Sequence, residues 1–165
     1  MYKRTVSWYD LQKTVNKICR DVTLTGWRPD YVVGITRGGL LPAVMISHYF
    51  DIPCNTLKVC LRDNEETESN LWMAEDAFAG KKILVVDDIN DSGATINWLL
   101  KDWPSGCFPN DPKWESIWGD NVRFAVLFDN LASKAQVSAD YVGEEINKAE
   151  DDCWIDFPYE DWWTK

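Results

Sequence analysis

Two adjacent carboxylates, a third acid and a short hydroxyl-bearing turn set out the chemistry open to this chain. They are Asp87 and Asp88, then Asp91, Ser92, Gly93, Ala94 and Thr95, within ILVVDDINDSGATI from Ile83 to Ile96. The apolar run before them reads as a buried strand, and Ser92 and Thr95 before the next apolar residues read as a helix start. A loop between the carboxyl end of a buried strand and a helix N-terminus is where open α/β sheets bind ligands. Its free backbone amides and the helix dipole favour an anion, typically a phosphate.

A second loop of the same architecture lies about fifty residues earlier: YVVGI from Tyr31 runs into Thr36, Arg37, Gly38 and Gly39. Two glycines let the backbone approach an anion closely. Arg37 adds a fixed charge and a fork of donors suited to phosphate. Taken singly, each loop has a plainer reading: a tight turn with a solvated arginine, or two acids and a serine cap of the kind many α/β proteins carry. Side by side, they could grip both ends of one substrate.

The elements that must position these loops follow from the patterning. Leu11, Val15 and Ile18 give one face of an amphipathic helix over Asp10–Asp21. Tyr31–Ile35 is a short buried strand, and LLPAVMISHYF is a helix with Pro42 tolerable in its first turn. Asn55–Leu61 reads as a strand. The acidic stretch from Arg62 onward lacks a period until Leu71, so its first half reads as a mobile loop, equally suited to be a lid or simply a solvated acidic loop. The central strand Ile83–Val86 and a helix over Ile96–Leu100 follow. A Pro-, Gly- and Trp-rich segment from about 103 to 121 looks like an insertion with one short helix around Lys113–Trp118. Strands at Arg123–Phe128 and Asp140–Gly143 complete a single α/β domain. Its sheet is mainly parallel, twisted and flanked by helices, and the tail CWIDFPYEDWWTK is a cluster of aromatics and acids around Pro158.

The 165 residues carry a net charge of −10, which argues against a nucleic acid held through its phosphates. No apolar run approaches the ~20 residues of a membrane helix, and MYKRTVSWYD lacks the apolar core of a secretory signal. Five scattered cysteines and one histidine, His48, make a structural zinc site a poor fit and suit reduced thiols in the cytoplasm. The ten tryptophans read mostly as packing residues.

The acid-rich loop resembles the phosphoribosyl diphosphate (PRPP) signature of the type I phosphoribosyltransferases, and TRGG resembles the loop they use for the diphosphate leaving group. VSWYDLQ, GITRGGLLPAVMI, VVDDINDSGAT, FAVLF, DYVG and WIDFP extend the similarity over nearly the whole chain. They point to the purine branch, most nearly the bacterial enzymes for xanthine and guanine. The resemblance implies a Mg²⁺-dependent transfer of the phosphoribosyl group of PRPP to a 6-oxopurine in cytoplasmic purine salvage. It further implies a small C-terminal hood, from about 150 to 165 with the N-terminal segment, and assembly as a homodimer or homotetramer. Asp91 would handle the base's N7 proton, Asp91–Thr95 would cradle the ribose-attached phosphate, and Asp87 and Asp88 would hold the ribose hydroxyls, with Asp88 nearest the metal. Arg37 and Gly38 would take the diphosphate in a loop often built around a cis peptide. Trp154 would stack on the purine, although ordinary core packing is the alternative in so aromatic a tail, and the Ile155 backbone would read the ring's edge.

Three departures stand out. Asn130 occupies the place of a lysine that bonds the base's exocyclic oxygen, with Lys134 four residues on. Leu61 and Arg62 replace the lid's usual Ser-Tyr pair. The arginine often supplied by the lid has no match near Glu68, leaving Lys58 or Arg62 as substitutes. A non-catalytic PRPP- or nucleotide-binding regulator on the same fold, or an enzyme for another base, is therefore the competing expectation.

Overall fold

The computed structural model describes residues 1–59, 67 and 69–165. The expected lid, with Leu61, Arg62 and Glu68, falls largely outside them. Helix α1 (Trp8–Leu24) opens on a capping box: Ser7 Oγ accepts from the Asp10 amide at 3.0 Å, and Asp10 Oδ2 accepts from the Ser7 amide at 3.1 Å. The box starts the helix earlier than its apolar stripe alone suggests. Leu11, Val15, Ile18, Cys19 and Val22 form the buried stripe. Strand β2 (Tyr31–Thr36) and helix α2 (Leu40–Phe50) then sit so close that a Cβ on Gly34 would lie 2.9 Å from the Ala43 Cβ.

Strand β3 (Cys54–Lys58), helix α3 (Leu71–Phe78), strand β4 (Ile83–Asn90) and helix α4 (Ala94–Gly106) follow. Helix α3 was not legible as a helix. It has two turns, buries Met73, Ala74 and Ala77, and starts where Asn70 Oδ1 accepts from the Met73 amide at 3.0 Å. After the short α5 (Lys113–Ile117) come β5 (Val122–Asn130) and β6 (Tyr141–Ile146). The five strands form one parallel sheet in the order β3-β2-β4-β5-β6, so the expected architecture holds. A mean strand buried on both faces needs apolar residues at every position. Ile83 to Val86 and Phe124 to Phe128 supply them.

One face of the sheet packs on α1 and α2, the other on α3, α4 and α5. The segment about 103–121 is drawn into the second core: Trp103, Trp114 and Ile117 are buried. Separate from the main sheet, β1 (Tyr2–Thr5) pairs in parallel with β7 (Cys153–Asp156), Tyr2 opposite Cys153. The aromatic tail is thereby fastened over the carboxyl ends of the strands.

Candidate functional site

Four residues beyond Val86, β4 continues to pair with β5 through Asp87, Ile89 and Asn90. Sheet pairing thus carries the acids out of the apolar core to the carboxyl edge. There a cleft of about 440 Å³ is walled by Gly38, Asp87, Asp88, Asp91–Thr95, Lys148, Trp154, Ile155 and Glu160, among others. Gly93, at φ 90°, caps α4 and turns the chain so that the helix's first amides face the cleft. A side chain could not stand there, because a Cβ would approach the Lys134 carbonyl carbon to 2.8 Å. Lys134 supports the turn from behind through its amide, 2.9 Å from the Ser92 carbonyl oxygen, while its own side chain points to solvent and away from the cleft.

The two glycine loops meet. A Cβ on Gly39 would lie 2.8 Å from the Asp87 Cα, and one on Gly38 would overlap the Asp88 carboxylate. The Thr36–Arg37 peptide is cis. Gly38 lines the cleft, but the exposed Arg37 does not. Burial first, then the Asp88 charge, pushes the Asp87 carboxyl well above the ordinary carboxylate range. Its Oδ1 accepts from the Asp88 amide at 2.9 Å, and Asp88 Oδ1 accepts from the Ile89 amide at 2.8 Å.

At the other end, Asp91 is held from two sides. The ammonium of Lys148, from the β6–β7 loop, donates to Asp91 Oδ2 at 3.1 Å, and both side chains are largely buried. Asn130 Nδ2 donates to the Asp91 carbonyl at 3.0 Å, and Asn130 Oδ1 accepts from the Lys148 amide at 3.0 Å. Asn130 is therefore buried beneath the acid, both ends of its amide engaged, and does not line the cleft. The cleft wall includes neither Asn130 nor Lys134, the two residues expected to bind a base. One is enclosed by its own hydrogen bonds and the other faces outward. Trp154, 41% exposed, presents its ring to the cleft beside the buried Ile155.

A phosphoribosyl transferase domain model matches residues 7–161 of the chain. The chain belongs to the phosphoribosyltransferase family. Its relatives include the xanthine-guanine phosphoribosyltransferase of Idiomarina loihiensis, 26% identical over 94% of this chain and 85% of that protein. That of Cereibacter sphaeroides is 28% identical, with the same coverage. A purine phosphoribosyltransferase from Pyrococcus horikoshii shares the fold at a TM-score of 0.69 and 23% identity, covering 98% of this chain and 96% of the other.

As a phosphoribosyltransferase, the chain brings together nearly every residue picked out from its sequence: Asp87, Asp88, Asp91–Thr95, Gly38, Trp154 and Ile155 border one cleft. Sequence reasoning missed Lys148. It lies in a loop without periodicity, and its only signal was a lone base among the acids Glu144, Glu145, Glu150, Asp151 and Asp152. It missed Tyr159 and Glu160 too, though the tail's aromatics around Pro158 were noted.

Proposed function

We propose that this chain transfers the phosphoribosyl group of PRPP to a 6-oxopurine (xanthine, guanine or hypoxanthine), releasing diphosphate. What carries the proposal is the facing of the two glycine loops across one cleft whose far wall is Trp154. A ring nitrogen of the base bonds to the anomeric carbon as the bond to diphosphate breaks, and the departing oxygen keeps the electron pair. The carbon gains oxocarbenium character on the way, as in glycoside hydrolysis. Asp91 accepts the proton the base loses, the Ser92–Thr95 turn holds the ribose phosphate, and Trp154 stacks on the ring. Lys148 is the donor for the exocyclic oxygen. It reaches the acid's side of the cleft from a different loop than Asn130, and its ammonium is already aimed there.

Mg²⁺ fits the residues present. Asp87 and Asp88 are hard oxygen donors held side by side, and the carboxyl displaced upward by burial and its neighbour's charge is one a cation would relieve. Asp88 and Asp87 would hold it together with substrate oxygens. When bound it would neutralise charge building on the diphosphate.

PRPP- and Mg²⁺-dependent conversion of guanine, xanthine or hypoxanthine to its nucleotide, followed chromatographically, tests the reading. Asp91→Asn should lower kcat about 10²- to 10⁴-fold, the range of a lost general base. Turnover with none of the three bases would sink the reading, and PRPP or nucleotide binding without turnover would favour the regulatory alternative.

A further inference from the structure

The tail does more than carry Trp154. Five residues on, Tyr159 Oη donates to the Gly38 carbonyl oxygen at 2.9 Å, across 121 positions of sequence. The next amide in that loop, Gly39 N–H, donates to the Ile35 carbonyl at 2.8 Å. Gly38 C=O and Gly39 N–H belong to one peptide unit, so this plane is pinned at both ends. One anchor is the strand, the other the tail. With two glycines and no side chain to restrain it, such a unit is otherwise the most rotatable part of the loop.

The anchor itself is fixed. Tyr159 stacks on Phe157 with centroids 5.5 Å apart and planes 6° from parallel, and Phe157 meets Phe128 of β5 edge-on at 5.8 Å. The Glu160 amide closes the turn onto the Phe157 carbonyl at 3.0 Å, and Lys165 Nζ donates to that carbonyl at 2.6 Å and to the Glu160 carbonyl at 2.7 Å. Burial, then the charges of Asp88, Glu160 and Asp87, raises the phenol far above its ordinary range, so it stays a donor at every working pH.

We infer that Tyr159 is a positioning residue for the diphosphate loop: the segment that offers Trp154 to the base also sets the Gly38–Gly39 peptide for the leaving group. This rests on the proposed phosphoribosyl transfer for what the loop binds. Tyr159 is not on the cleft wall that Trp154 helps to form, so the effect should fall on one substrate only.

Tyr159→Phe keeps the ring stack and removes the donor. In the full chain with Mg²⁺, calorimetry with inorganic diphosphate should show binding weakened about three- to tenfold, the worth of one hydrogen bond. The KM for PRPP should rise in parallel. Binding of guanosine monophosphate, which lacks the diphosphate, and the KM for the base should stay within about twofold. Diphosphate binding unchanged in the variant overturns the proposal, as does equal weakening of diphosphate and monophosphate, which marks a general structural loss. Should the unaltered chain bind neither diphosphate nor PRPP, the reading of the loop fails and this inference with it. Binding in the unaltered chain with no difference in the variant rejects the clamp alone.

Discussion

The carboxyl edge of the central sheet and the aromatic region beside the amino ends of β4 and β5 are built on opposite terms. At the amino side Trp118 meets Trp103, Trp114 and Phe124 at ring separations of 5.9 to 6.0 Å, and Phe78 joins Trp114 at 5.7 Å. The Trp114 indole N–H is satisfied by the Cys107 carbonyl at 2.7 Å. At the carboxyl edge glycines keep room open, two adjacent acids repel each other, and the one tryptophan on the cleft wall is 41% exposed. Density of large side chains therefore marks stability here, and its deliberate interruption marks the site. A fold this size can hold an electrostatically costly edge because its other end is so heavily packed.

The largest expected effect breaks the packed side. Trp114→Ala removes a buried ring and leaves its carbonyl partner unsatisfied, so it should cost about 3–5 kcal/mol of stability. Nucleotide formation per folded molecule should stay within about twofold. Denaturant unfolding read alongside initial rates checks both; a large loss of kcat without a loss of stability would erase the division between the regions.

Trp154→Ala should do the reverse. An aromatic platform under a base is worth about 1–3 kcal/mol, so the KM for the base should rise about 5- to 150-fold while the KM for PRPP changes little. The exposed ring contributes little to folding, and the unfolding midpoint should barely move. A shift as large as that of Trp114→Ala would return Trp154 to the core, where an aromatic tail could equally have placed it.

These contrasts show why parts of the molecule were legible in sequence and parts were not. Helix α2 was read to the residue, because Gly38 and Gly39 stop the strand and Pro42 suits a first turn. The polar half of β4 was not. Its apolar run ends at Val86, while the ladder to β5 goes on through Asp87, Ile89 and Asn90. Strand β1 exists only by pairing with β7 some 150 positions away, and no local pattern announces such a partner. The phosphate turn was legible because its chemistry is local: acid, hydroxyl, glycine, helix start. Lys148 was not, since it reaches Asp91 from a separate loop, and Asn130, expected to bind a base, lies off the cleft wall. Its burial beneath Asp91 depends on how β5 and the β6–β7 loop come together.

The smallest effect tests whether the carboxyl edge bears an electrostatic cost at all. Asp87 holds its proton more tightly in the folded protein than its ordinary value of 3.8, chiefly through burial and then through Asp88. The sign follows from proton linkage. The folded form binds more protons than the unfolded form, so the contribution is whole below about 3.8 and is lost as pH climbs through the raised folded value. At neutral pH, Asp87 therefore destabilises the empty protein. Asp87→Asn removes the charge and keeps an oxygen for the Asp88 amide, so its melting temperature should exceed the unaltered chain's by a few degrees at pH 7, roughly the effect of 1 kcal/mol. That advantage should shrink toward zero below about pH 4, where the unaltered carboxyl is neutral anyway. Adding Mg²⁺ with PRPP should narrow it from the other side, stabilising the aspartate form more than the variant because only the former offers the full pair of charges. A variant less stable at pH 7, or one whose gain ignores pH, would mean that the acids at this edge are reconciled by contacts within the protein, and the difference between its two regions would then be one of shape alone.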